Sequence, residues 1–459
     1  MPRSFLLSVF ALLLSLAAAA RPPDDASRAG CQIGTINYKG WQAQQISNAW
    51  VKLIMVPQNG GRLMQVIFGG HEYLFVNPKY AGRYLPPDEG KWFNYGGDKL
   101  WPLPEGNQDE RHWAGGSDVL DDGAYSFQIT SQAPQCSISL TSPRDPRTGL
   151  QFLRTITLQP DSPQIHFHAL MKNATGHPIE WSVQSVSQYN TADLQDASDY
   201  NRDLRVFAPA NPRSSYLERY HVRFGPAENS FVTIRDDGLF ALRYGYLAAE
   251  LWIDSTAGWL AVVDGGSAYA MVERFRYQEN ARYPGRASVI FWTNGPELHM
   301  DDRGFPSVTP PKLDETPFYM EAELNSPLVR LEPGERYPFD TDWFPTRSGK
   351  GFTGVTDAGL VSEALKASPV ASTRVKLSGS FGVFFPGQLV ANVYSQGGRL
   401  LQKTPLLAVD PGETVTVAKE VETGDQAGRV SLRLEDSAGV DRGSLGEASV
   451  APPPGASLQ

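Results

Sequence analysis

Short segments that alternate apolar and polar residues, each bounded by Gly, Pro or Asn, recur along most of this chain. They include "AWVKLIMVP", "GGRLMQVIFGG" and "HEYLFVN" early on, and "AYAMVERFRY", "ASVIFWTNG" and "PFYMEAELNS" later. Alternation with a period of two predicts strands, and the 43 Gly and 35 Pro among 459 residues supply turns between them. We therefore predict an all-β protein in which residues 35–350 form a large antiparallel β-supersandwich of two stacked sheets.

The composition changes near residue 350. The segment "TDAGLVSEALKA" has the residues of a helix, and we predict a helical bridge over 351–369. Beyond it, "TRVKLSGSFGVFF", "PGETVTVAKEV" and "GRVSLRLEDS" alternate again, which predicts a small immunoglobulin-like β-sandwich over 370–449 and a disordered tail over 450–459. A chain that ends before about Ser368 is then expected to fold on its own.

The first twenty residues, "MPRSFLLSVFALLLSLAAAA", predict a secretory signal peptide over 1–20. A disordered leader over 21–34 follows it. We therefore expect an exported protein, secreted or periplasmic, with no membrane insertion. The two cysteines, Cys31 and Cys136, could form a disulfide in that oxidising compartment, but their presence alone does not prove the bond.

Several functional classes lack support in the sequence. The formal net charge is −9 with no long basic run, which argues against nucleic-acid binding. No nucleophile-elbow motif and no phosphate-binding Gly-Lys-Ser/Thr loop occur, so a serine hydrolase and a nucleotide-binding protein have no support. We predict no cofactor. His166 and His168 share one face of a strand, but no third ligand follows by spacing, and we predict no metal site.

Two carboxylates stand two residues apart in the apolar run "FYMEAELNS". Glu321 and Glu323 should therefore point to the same face of a strand. Either this is the solvent face of an edge strand, or the face lines a pocket where one carboxylate acts as a base and the other holds a ligand.

The same stretch resembles the aldose 1-epimerases, or galactose mutarotases. The similarity rests on "MEAE" at 320–323, "LEPGERY" at 331–337, the pair Trp343-Phe344, and the early "PQNGGRLMQVIFGGHEYLF". It covers roughly residues 40–345. The motif "GGDKLWP" at 96–102 is similar to one in uncharacterised bacterial proteins of mutarotase-like fold. The resemblance implies a galactose mutarotase-like supersandwich.

The resemblance to the aldose 1-epimerases also implies which positions would carry the catalytic base and acid. Glu321 falls where the epimerases carry the general base, whereas Gln184 falls where they carry the histidine acid. A glutamine cannot donate and regain a proton at neutral pH, so the acid half of the mechanism is missing at this position. Other groups that could act as the acid are Lys99, His71, His112 and His299.

The remaining candidate residues suit sugar hydroxyls. Amides offer both a donor and an acceptor, and the loop "NYGGDKLWPLPEGNQDERHW" combines charged groups with indole rings. The predicted ligand contacts are Arg62, Asn94, Asp98, Lys99, Trp101, Gln184, Gln188 and Glu323.

Together these observations predict an exported carbohydrate-binding protein without mutarotase turnover. One alternative is an active aldose 1-epimerase or other sugar-processing enzyme with Glu321 as its general base. A second is a non-catalytic surface or assembly protein, because a fold does not determine a function. The sugar and the oligomeric state stay open.

Overall fold

The computed structural model describes residues 30–88, 91–106, 111–114, 118–300, 306–308 and 312–450, with the backbone alone for 299–300 and 306–308. The predicted signal peptide, the leader up to residue 29 and the tail from residue 451 lie outside the described residues.

Strands make up most of the described chain. The first sixteen are β1 (Gln32–Tyr38), β2 (Trp41–Ser47), β3 (Val51–Val56), β4 (Arg62–Phe68), β5 (His71–Glu72), β6 (Asp98–Leu103), β7 (Ser126–Ser131), β8 (Cys136–Thr141), β9 (Leu150–Leu158), β10 (Ile165–Asn173), β11 (Ile179–Asn190), β12 (Leu204–Pro209), β13 (His221–Phe224), β14 (Val232–Ile234), β15 (Leu239–Arg243) and β16 (Ala249–Ile253). The others are β17 (Trp259–Asp264), β18 (Tyr269–Phe275), β19 (Val289–Thr293), β20 (Leu298–Met300), β21 (Pro306–Val308), β22 (Tyr319–Asn325), β23 (Val329–Leu331), β24 (Arg336–Arg347), β25 (Gly354–Val355), β26 (Gly359–Ala371), β27 (Arg374–Val383), β28 (Gly387–Ser395), β29 (Leu400–Val409), β30 (Val415–Glu422), β31 (Ala427–Asp436) and β32 (Asp441–Ser449).

Two large antiparallel sheets form the first part of the fold. Sheet I has the order β1-β2-β3-β4-β6-β11-β22-β19-β16-β13, with β5 paired to β4 and β23 to β11, and sheet II has the order β14-β15-β12-β17-β18-β24-β10-β9-β8-β7. Their facing sides share one apolar core, to which Leu251 and Met320 of sheet I and Phe152 and Phe167 of sheet II belong. In β9 and β10 every second residue is buried, as period-two patterning requires of a strand with one core face. The predicted all-β supersandwich is confirmed.

A smaller β-sandwich follows it. Sheet III has the order β25-β26-β27-β30 and sheet IV the order β29-β28-β31-β32. Apolar residues of both sheets, such as Leu377 and Leu432, belong to one buried cluster. That cluster also contains Phe207, Trp259 and Phe344 of sheet II, so the outer side of sheet II and the small sandwich share a core.

The prediction of a helical bridge over 351–369 is wrong. Most of this segment lies in β25 and β26, and β26 pairs with β27 over most of its length. Leu360 and Leu365 are buried in the core of the small sandwich. Helix propensities differ by only tenths of a kcal/mol among most residues, so strand pairing and burial outweigh them here. The described chain contains two 3-10 turns, Pro78–Tyr80 and Pro284–Arg286, and no helix long and apolar enough to cross a membrane.

The N-terminal strand begins earlier than expected. β1 starts at Gln32, so residues 32–34 of the predicted leader belong to sheet I. Cys31, just before β1, forms a disulfide with Cys136 at the start of β8, across a sequence separation of 105 residues. The bond joins the edge of sheet I to sheet II, and it settles the pairing that the sequence left open.

Candidate functional site

The strand that carries the two carboxylates, β22, lies in the middle of sheet I. All seven of its residues are buried, and Glu321 and Glu323 are each 6% exposed. Its odd-numbered and even-numbered residues point to opposite faces. Met320, Ala322 and Leu324 face the core between the sheets. One interpretation of the sequence placed the two carboxylates on the solvent face of an edge strand. That interpretation is wrong, because both are buried and β22 lies within the sheet.

Each carboxylate accepts a hydrogen bond from an amide on the neighbouring strand β11. Gln188 Nε2 donates to Glu321 Oε1 over 2.6 Å, and Gln184 Nε2 donates to Glu323 Oε2. The pairing register places Gln188 opposite Glu321. The amide oxygens of both glutamines are buried without a hydrogen-bond donor. The sequence predicted that Glu321 and Glu323 share a strand face and, separately, that Gln184 and Gln188 do, and the pairing of β11 with β22 brings the two pairs together on sheet I.

Lys99 of β6 joins these groups from the other side of β11. Its Nζ lies 3.7 Å from Glu321 Oε1 and 3.9 Å from the centre of the Trp101 ring, with Trp92 at 5.4 Å. The Trp101 indole donates to Asp121 over 2.8 Å. The lysine is therefore held between a carboxylate and two indole faces, a favourable setting for a buried cation.

A cleft of about 340 Å³ opens over this face beside Gln184. Its lining includes Glu105, Arg223, Glu250 and Trp252, with Pro284 and Gly285 at one end. The volume lies in the usual range for a small-ligand site. Glu105 belongs to the loop "NYGGDKLWPLPEGNQDERHW", which the sequence predicted to suit a sugar, whereas Arg223, Glu250 and Trp252 were not predicted. Glu250 and Trp252 are two functional side chains two residues apart in an apolar strand, which is the spacing that identified Glu321 and Glu323.

The acidic groups of the cleft influence one another. Burial raises the pKa of Glu323 well above its usual value, and the charges of Glu321, Glu105 and Glu250 add to the rise. Desolvation by the surrounding protein, then the charges of Glu250 and Glu321, raises the pKa of Glu105 to about 8. The residue is nevertheless exposed, so water at the cleft opposes this rise. Burial lowers the pKa of Lys99. The site thus holds carboxyl groups with a raised pKa beside an ammonium group with a lowered pKa.

Asp98 points away from this site. It lies on the opposite face of β6, where it forms an ion pair with Arg154 of sheet II and accepts from Ser185 and Ser187 over 3.4 and 3.3 Å. The two glycines before it, at φ of 91° and 75°, let the chain pass close to neighbouring backbone: a Cβ at Gly96 would lie 2.2 Å from the Phe75 carbonyl oxygen. Asp98 therefore stabilises the core and does not line the cleft.

Arg62 and Asn94 are also structural. Arg62 is fully buried, and its guanidinium lies 2.7 Å from Asp121 and 3.5 Å from Asp122. It is linked to the site through Asp121, which also accepts from the Trp101 indole. The Asn94 side chain accepts from the Gly96 backbone N–H over 3.2 Å, as in a turn. Neither side chain lines the cleft. Among the predicted site residues, Gln184 does line it, whereas Glu321, Glu323, Gln188, Lys99 and Trp101 lie beside it and are not part of its lining.

The candidate acids are widely separated. His71 stacks on Tyr269 at 4.5 Å near sheet II, where burial lowers its pKa to about 4. His112 lines a different groove, and the side chain of His299 lies outside the described residues. Of the four, Lys99 is the group that the structure places beside Glu321. His166 and His168 bond to Asp342 and Asp340, and no cluster suited to a metal occurs in the described chain.

Fold and site together define an all-β sandwich protein with a carboxylate–amide cleft on one large sheet. No family profile matches the chain, and no curated protein does. Solved structures similar to it include a galactose mutarotase-like protein from Lactobacillus casei, which is 11% identical at a TM-score of 0.43, with 68% of this chain and all of that chain aligned. A Klebsiella pneumoniae protein provisionally assigned as an aldose 1-epimerase is 13% identical at a TM-score of 0.45. The alignment covers 69% of this chain and 83% of that protein.

A TPR-domain containing protein from Parabacteroides distasonis is 12% identical at a TM-score of 0.43. The alignment covers 66% of this chain, which spans about half, 47%, of that protein. Likeness at these levels supports no conclusion about the side chains of the cleft.

Proposed function

We propose that this protein binds a carbohydrate in the cleft of sheet I, without mutarotase turnover. The observation that carries the proposal is the pair of buried carboxylate–amide contacts, Glu321 with Gln188 and Glu323 with Gln184, beside an open cleft. Carboxylates accept hydrogen bonds from sugar hydroxyls. The indole of Trp252 supplies an apolar face for a ring.

We also propose that the mature protein is exported. The N-terminal apolar segment supports this, as does the disulfide Cys31–Cys136, since such bonds persist in oxidising compartments.

Removing the Glu321 carboxylate should weaken sugar binding. We expect Glu321→Ala to lower the affinity of a bound sugar by about 1.5–3 kcal/mol, the usual contribution of a hydrogen bond to a charged group. Calorimetric titration with glucose, galactose, xylose and cellotetraose measures this. Glu413→Ala, which removes an exposed carboxylate in the small sandwich, is the matched control, and thermal unfolding checks that each variant is folded. Unchanged affinity in Glu321→Ala would place the site elsewhere.

Mutarotation is expected to stay at the uncatalysed rate. Gln184 holds Glu323 and cannot cycle a proton, and general acid–base assistance typically contributes about 10²–10⁴-fold. Polarimetry of freshly dissolved α-glucose and α-galactose gives the rate. Gln184→His should raise it, because the register places residue 184 on the same face as Glu323. Rapid equilibration by the unaltered protein would refute the absence of turnover.

One observation favours an enzyme as the second candidate function. Because the pKa of Glu105 is raised to about 8, this carboxyl carries a proton at neutral pH and could serve as an acid opposite the base Glu321. Activity of this kind would fall as the pH rises through about 8, where Glu105 loses its proton. It would also be lost in Glu105→Gln, which the same assay can measure.

A further inference from the structure

A second, larger groove lies beside the cleft. Its volume is about 810 Å³, and its described lining is rich in cationic side chains: Arg111, Arg144, Arg147, Arg282 and Arg330, with His112 and His177. The carboxylate of Glu180 lines it as well. Five arginines against one carboxylate give the described lining a formal charge of +4, in a chain whose formal net charge is −9. We call this the arginine groove.

Ion pairs within the chain use only part of this charge. Arg282 donates to Glu180, and Arg330 Nε lies 3.4 Å from Glu332 Oε1, but the side chains of both arginines are at least 65% exposed. Exposed pairs are weak and exchange readily for the anionic groups of a ligand. Arg144 is exposed and makes no ion pair within the described chain.

The arginine groove and the cleft share walls. Pro104 lines both of them. Arg282 lines the groove, whereas Pro284 and Gly285 line the cleft. The segment after Pro104 divides in the same way, with His112 on the groove and Ala114 on the cleft. The cleft and the arginine groove therefore adjoin at Pro104.

We infer that the ligand is an oligosaccharide with anionic substituents, carboxylate or sulfate, which places a neutral sugar in the cleft and its anionic groups in the arginine groove. This inference rests on the carbohydrate binding proposed above. Guanidinium groups bind planar and tetrahedral oxyanions through paired N–H donors. The cleft lining holds one arginine, Arg223, beside Glu105 and Glu250, and so offers anionic groups much less than the groove does. The excess of arginine in the groove thus sets the direction of the bound chain.

The experiment compares two oligosaccharides that differ only in charge. One is an unsulfated chondroitin hexasaccharide, in which uronic acids alternate with N-acetylated amino sugars, and the other is the same molecule after reduction of its carboxylates to alcohols. The mature full-length protein should bind the acidic form at least about tenfold more tightly, and added salt should reduce that advantage. Arg144→Gln and Arg330→Gln should each weaken binding of the acidic form about tenfold and leave binding of the reduced form unchanged. Arg202→Gln, an exposed arginine outside both sites, is the control.

Any other binding result would refute one or both of the two proposals. Equal affinity for the two hexasaccharides would refute the anionic ligand and leave the proposed carbohydrate binding intact. Failure of both to bind, together with the neutral sugars, would refute both proposals. Equally tight binding of single-stranded DNA or polyphosphate, with the same dependence on Arg144 and Arg330, would show that the groove serves another class of polyanion. A sulfated chondroitin hexasaccharide distinguishes sulfate from carboxylate as the preferred group.

Discussion

Replacing Arg154 with methionine should lower the free energy of unfolding by about 3–5 kcal/mol, because the change leaves the Asp98 carboxylate buried without its partner charge. Arg154 is 2% exposed, pairs with Asp98, and lies 4.4 Å from the centre of the Phe167 ring. Methionine keeps much of the side-chain volume, so the loss reports mainly the uncompensated charge. Urea unfolding at pH 7 measures it.

The loss should depend on pH in a defined direction. Burial raises the pKa of Asp98 even beside Arg154, and removing the arginine raises it further. The Asp98 carboxyl of the folded variant then binds a proton more tightly than that of the unfolded chain. The loss in the free energy of unfolding should therefore shrink as the pH falls towards the pKa of Asp98 in the unfolded chain, about 4. Arg202→Met removes an exposed pair with Asp199 and should cost less than about 1 kcal/mol. If Arg154→Met also lowered the free energy of unfolding by less than about 1 kcal/mol, water would have to reach Asp98.

A chain that ends at Arg347 should associate in solution. It would lose the small sandwich and expose Phe207, Trp259 and Phe344, which are buried against that sandwich in the whole protein. Phe207 stacks on Phe352 at 4.2 Å, and Phe344 stacks on Phe384 at 4.4 Å. Burying each such ring contributes about 1.5–3 kcal/mol, and an exposed patch of this kind favours aggregation. Size-exclusion chromatography with light scattering detects the association.

A second truncated variant separates an exposed patch from a failed fold. With Phe207→Thr, Trp259→Thr and Phe344→Thr, the shortened chain should become monomeric and unfold cooperatively. The sequence alone predicted that a chain ending before Ser368 folds independently. If the unaltered truncation were monomeric with the same unfolding midpoint as the whole chain, that prediction would hold and the shared core would contribute little.

The candidate site was predictable in part. Period-two spacing within one strand identified the shared face of Glu321 and Glu323, and likewise that of Gln184 and Gln188. Arg223 and Glu250 were missed because they come from other strands, whose pairing order the sequence does not state. Asp98 and Lys99 are a different case: the sequence predicted ligand contact for both, although adjacent residues of one strand face opposite sides, so period-two spacing alone excluded one of them.

What the sequence determined by itself was local. Alternation and turn residues specify strands, so the all-β class and most of the strand segments follow from them. The segment 351–369 shows the limit of this reasoning, because pairing of β26 with β27 outweighs the helix propensity of Ala, Leu and Lys. Only the tertiary structure decided which strands became neighbours. That order brings Lys99, Gln188 and Glu321 together from three distant parts of the chain, because antiparallel pairing fixes which side chains share a face and lie side by side.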